Sequence, residues 1–166
     1  MRYTILVLLA LLLALPAAAQ DDELEDPFKC SIEQATEATE FIEDHDLVDQ
    51  FDDFGTRIAS ITENGTFSAI PRLLKESVEF YNNWREDSVL LPDCTESNRF
   101  RDMYTIAMSE RVMSISLLHN AVIDFSNDAD ESAAEWLGLA ETLIERNSAN
   151  IMQFVVWSSV LKVYAE

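Results

Sequence analysis

Glycine, histidine, cysteine and basic residues are all scarce in this 166-residue chain, and each scarcity removes a class of function. The three glycines, Gly55, Gly65 and Gly138, stand too far apart to form a loop that cradles phosphate. Two histidines restrict metal chemistry. A di-metal carboxylate bundle needs Glu-x-x-His on two helices; three residues before His45 stands Ile42, and three before His119 stands Ser116. Haem attachment through Cys-x-x-Cys-His is absent. Along helices rising 1.5 Å per residue, His45 and His119 stand about 22 and about 37 Å from the cysteine end, too far apart to share one iron. Asp44-x-Asp46 and Asp128-x-Asp130 begin like calcium loops, but position six is Asp49 or Ala133 rather than glycine, so both read as helix-capping acid clusters. Nothing marks a nucleophile elbow. No cofactor and no enzymatic activity are expected.

Charge of one sign is the next deficit. Eleven Lys and Arg face thirty-one Asp and Glu, a net charge of −20. Such a surface repels polyphosphates and anionic membranes, which disfavours nucleic-acid binding and leaves solubility, or a cationic partner, as its consequence. Long apolar runs are also missing after residue 15. The one run present, Ile5 to Leu15, follows Arg2 and precedes Ala17-Ala18-Ala19, the pattern of a signal peptide over residues 1–19. It is shorter than the roughly 20 residues a bilayer requires. Removing it takes away Arg2 alone among the charges and leaves ten basic against thirty-one acidic residues, net −21. The mature chain is expected to be secreted or periplasmic, meeting a membrane only through its export signal. Residues 20–29 are expected to form an acidic, disordered lead-in, and residues 30–166 one domain.

Only two cysteines occur, Cys30 and Cys94, and in an exported chain they most simply pair with each other. Helical signals then divide the chain. Ser31 with Gln34 is a capping box. The stripe Ala35, Ala38, Ile42 does not line up with Phe51, Phe54, Ile58, Ile61 at 100° per residue, so the first arm should kink near His45, with Asp46 and Asp49 capping the restart. Asn64-Gly65 ends that arm, and Asn64-Gly65-Thr66 is a glycosylation sequon in a host that glycosylates. Ser68 and Pro71 open a second helix, with Ile70, Leu73, Leu74, Ser77, Tyr81 and Trp84 inward. Leu90-Leu91-Pro92 should be an extended connector. Asp93 with Glu96 repeats the capping pattern before a third helix striped by Phe100, Tyr104, Ala107, Met108, Ile115, Leu118, Val122 and Phe125. After a break at 126–130, a fourth helix shows Ala133, Trp136, Leu137, Ala140, Ile144, Ile151, Phe154 and Val155.

These lengths predict an all-α, up-and-down four-helix bundle: two helical hairpins tied by one disulfide, with the first arm kinked or broken. A faint repeat at an offset of sixty-four residues sets Cys30 on Cys94 and Phe51, Phe54, Ile58, Ile61 on Ile115, Leu118, Val122, Phe125. The tail is apolar all round through Met152, Val156, Trp157, Val160, Val163 and Tyr164, and such a helix is centrally buried or covered by another chain. Arg111 and Asn147 interrupt their stripes. With His45 and Tyr81 they are expected at one level, about 20–25 Å from the disulfide. Asp44 or Glu145 could supply the acid a buried Arg needs. This layer either fixes register or holds a small polar or anionic ligand or a divalent cation.

The stretch Trp84 through Leu90-Leu91-Pro92-Asp93-Cys94, running into a long amphipathic helix, resembles a pattern in small exported helical proteins of environmental bacteria. The resemblance spans Cys30 to Phe125. It implies a bundle and an exported life, and it carries over no functional residue. The leading expectation is therefore an exported, non-catalytic interaction or structural protein, self-associating through its C-terminal helix or meeting a protein partner. The alternative is a binding module at the mid-bundle layer.

Overall fold

A computed structural model describes residues 28–166, so the expected signal peptide and the lead-in up to residue 27 lie outside the described residues. Helix α1 (Ile32–Asp44) begins as its capping box requires: Ser31 Oγ accepts from the Gln34 N–H, and the Gln34 side chain accepts from the Ser31 N–H. It buries Ala35, Ala38 and Ile42. The phase change between the two stripes is met by a break at His45 and Asp46, where Asp46 adopts a left-handed φ of 47°. Asp46 occupies the N-cap of α2 (Leu47–Asn64), but its side chain makes no capping bond, contrary to expectation. Gln50 serves the end of α1 rather than the start of α2, its side-chain amide donating to the His45 carbonyl at 3.0 Å. Asp49 lies in the first turn, where a negative charge suits the helix dipole.

Helix α2 buries Leu47, Phe51, Phe54, Ile58 and Ile61, and Gly65 stops it at φ 65°, a conformation open to glycine without strain. A 3₁₀ turn (Phe67–Ala69) leads into α3 (Ile70–Asp87), with Pro71 in the first turn. The connector after α3 is not extended throughout. Ser88–Leu90 form a second 3₁₀ turn with Val89 and Leu90 outside, and only Leu91 is both extended and buried.

Helix α4 (Thr95–Ser126) and helix α5 (Asp130–Ala165) are long and unbroken, joined by a turn in which Asp128 is left-handed. Asp124 secures this turn by accepting from Ser132 Oγ at 2.5 Å and Trp136 Nε1 at 2.9 Å. The arms run up, down, up and down. Helices α4 and α5 share the longest interface, α1 packs on α5, and α3 packs on α4. The backbone of α2 approaches α4 and α5 closely in few places, so long side chains fill the space between.

Cys30 and Cys94 form the disulfide, with their Cα atoms 4.9 Å apart. The capping role expected for Asp93 and Glu96 is replaced. Cys94 is the N-cap, and the buried Glu96 carboxylate crosses to the other arm, accepting from the Cys30 N–H at 2.8 Å. The Thr95 N–H donates to the Phe28 carbonyl at 2.7 Å. Three links therefore close one pole. Below it lies an aromatic cluster of Trp84, Phe100, Tyr104, Phe154 and Phe51, with neighbouring rings 4.7–6.4 Å apart. Tyr104 Oη donates to the Leu47 carbonyl at 2.7 Å, tying α4 to the first turn after the break.

Candidate functional site

The aromatic cluster ends at a polar layer. Arg111 is only 8% exposed, although it sits inside an apolar stripe. Its guanidinium lies over the Phe51 ring at 4.7 Å, a cation–π geometry, and against Gly55. A Cβ at Gly55 would come within 3.2 Å of Arg111 Nη2, so the missing side chain makes room for the charge. Arg111 Nε is buried without a hydrogen-bond partner. Burial lowers the Arg111 pKa from its ordinary value, and the negative charge of Asp52 opposes that shift in part. Asp52, not Asp44 or Glu145, is thus the acid that acts on it. Asp44 lies at the kink and Glu145 is exposed.

Asn147, 1% exposed, donates through Nδ2 to the Ala107 carbonyl at 3.1 Å, while its Oδ1 is buried without a partner. Ala107 is four residues before Arg111, so Asn147 meets α4 one helical turn from Arg111. Beside them stands a constellation the stripe pattern hid. Glu110, 7% exposed, accepts from Arg146 Nη2 at 2.5 Å and from Asn150 Nδ2 at 2.8 Å. The i, i+4 spacing of Arg146 and Asn150 about Asn147 was the available signal.

His45 does not join this layer, and neither His45 nor Tyr81 is linked to Arg111 or Asn147 by a hydrogen bond or ring contact among the described residues. The physical reason is that α1 gains less height per residue than α4: Leu47, seventeen residues after Cys30, is level with Tyr104, ten residues after Cys94. Phe51 and Gly55 meet Arg111, so the first arm reaches that level two to three turns after His45. His45 instead stacks on Phe41 at 4.1 Å, its Nδ1 lies 2.9 Å from the Phe41 carbonyl, and it lines a cavity of about 330 Å³ with Asp44, Asp46, Trp84 and Asp87. Tyr81 is half-buried on α3 against the core. Asn64 is exposed at the end of α2, its Nδ2 donating to the Ser60 carbonyl at 2.9 Å. Among the described residues, no group of three or more His, Cys, Asp or Glu is placed to hold a metal ion.

The tail is neither fully buried nor fully bare. Phe154 and Leu161 enter the core, and Trp157 and Tyr164 are half-buried. Met152, Val156 and Val163 face outward at 70%, 54% and 68% exposure. Met152 and Val156 belong to the stretch Asn147 to Leu161, which contains no charged residue, and Val163 follows Lys162 just beyond it. Among the described residues, no helix is long and apolar enough to cross a membrane. No protein-family model matches the chain, and neither does any curated protein or solved structure.

Proposed function

We propose that this chain is an exported, non-catalytic interaction protein that self-associates through the outer face of the C-terminal half of α5. The observation that carries this reading is the outward row of Met152, Val156 and Val163, the first two on an uncharged stretch of a strongly acidic chain. Two copies at net −21 repel over most of their surfaces, and this face is where apolar burial meets little like-charge opposition. The disulfide fits an oxidising compartment and supports the export signal read from residues 1–19. Light scattering on residues 20–166 tests the proposal: a reversible oligomer is expected, dissociated by Met152→Glu with Val156→Glu. A strict monomer at roughly millimolar concentration, where association is worth only about 4 kcal/mol, refutes it.

A second reading rests on the two orphaned atoms at mid-bundle, Arg111 Nε and Asn147 Oδ1, which together suit a small ligand that both accepts and donates. Native mass spectrometry of protein purified from its own source tests it. An adduct lost in Arg111→Met supports a binding module, and bare protein in both forms removes that reading.

A further inference from the structure

The bundle is closed at the disulfide pole and open at the other. Because α2 stands off from α4 and α5, its end, the 3₁₀ turn after it and the start of α5 leave a groove of about 390 Å³. Its walls are Phe67 and Ile70 on one side, Leu118, Val122 and Phe125 on α4, and Leu137 on α5. Phe125 belongs to the apolar stripe of α4 and yet is 49% exposed, because nothing among the described residues fills the space in front of it. The two hydroxyls at the rim are already used: Thr62 Oγ1 donates to the Ile58 carbonyl and Ser126 Oγ to the Val122 carbonyl, both at 2.8 Å.

We infer that this groove is a binding site for a small, neutral, apolar molecule such as an aliphatic alcohol or hydrocarbon. The volume falls in the range of small-molecule sites, which are mostly apolar, whereas a stable protein interface needs about 800 Å² from each partner. Charge selects within small molecules. No lining residue is charged. Residues 112–145, which supply the α4 and α5 walls, contain no Lys or Arg, while Asp128, Asp130 and Glu131 lie in or beside the turn that joins these helices. On the α2 and α3 side, Arg57 pairs with Asp53 and Glu76, and Arg72 with Glu76. An anionic head group therefore meets net repulsion at the rim and no unpaired cation, which sets an alcohol above the carboxylate of equal chain length.

The test uses residues 20–166 with Nile red as a neutral fluorescent probe, displaced by 1-decanol or by decanoate. Saturable Nile red binding is expected, with decanol displacing it at a concentration at least tenfold below decanoate. Val122→Trp fills the groove from within, and Thr62→Trp fills it from an exposed position that does not challenge folding. In each variant that keeps a cooperative melt, at least a tenfold loss of probe affinity is expected, while Met152→Glu leaves binding unchanged. Absence of probe binding, affinity within twofold of the parent in Thr62→Trp, or equal displacement by decanoate overturns the inference. An oligomer that Val122→Trp dissociates overturns it as well, since the occupant is then a second copy.

Discussion

Replacing Arg111 with Met should make this protein more stable. The wild-type chain leaves Arg111 only 8% exposed, its Nε is buried without a partner, and no carboxylate forms an ion pair with it among the described residues. An unsatisfied buried donor costs roughly 1–3 kcal/mol, and burying its charge adds to that. Against these stands the cation–π contact with Phe51, worth roughly 0.5–2 kcal/mol, and the packing that the shorter Met loses. The net expectation is a gain of about 1–2 kcal/mol, or roughly 3–6 °C in Tm for a domain of this size. Gly55 makes the argument specific. Gly55→Ala gains about 1 kcal/mol of helix propensity, but in the wild type its new Cβ would press on Arg111 Nη2 at 3.2 Å. The substitution should be near neutral alone and stabilising by about 1 kcal/mol beside Arg111→Met, a coupling well above the roughly 0.5 kcal/mol expected of independent sites. Urea denaturation of the four proteins measures the cycle. A loss of more than about 1 kcal/mol in Arg111→Met, or additive behaviour with Gly55→Ala, refutes the reasoning.

Two further perturbations follow from the same structure. Burial raises the Tyr104 pKa far above its ordinary value of 10.0, so the contribution of this group is fully present below pH 10 and is lost as pH rises, because the unfolded tyrosine ionises and the folded one does not. Tyr104→Phe should lose about 1 kcal/mol at neutral pH with the bond to Leu47, and should flatten the alkaline fall in stability followed by circular dichroism. Cys30→Ser with Cys94→Ser opens a loop closed over a separation of 64 residues, a loss of about 4 kcal/mol by loop entropy; a loss under about 1 kcal/mol in denaturant titration would show that the clamp adds little.

The arms, their inward stripes and the disulfide were legible in the sequence, because periodicity and two cysteines specify them without knowledge of neighbours. The kink was legible too, since Ile42 and Phe51 cannot share a face on a straight helix. What stayed hidden depends on contacts between arms. Glu96 has the spacing of a cap for its own helix, yet its carboxylate serves Cys30 across the pole. Glu110 reads as a solvated charge one position off the stripe, and only the approach of Arg146 and Asn150 makes its burial tolerable. Counting rise from the two cysteines sets His45 level with Arg111, but Leu47, seventeen residues after Cys30, meets Tyr104, ten residues after Cys94, so α1 climbs less steeply than α4 and the count fails. Phe125 continues an apolar stripe perfectly well, but periodicity carries no information about whether a facing helix is there to cover it.

Both cysteines lie before α4, and the 36-residue α5 contains none. A proteolytic nick between residues 65 and 69 therefore leaves two fragments still joined until reductant is added. A nick at residues 127–129 leaves α5 attached by non-covalent packing alone. The helix that carries the outward apolar row can thus pass from one copy to another without breaking a sulfur–sulfur bond.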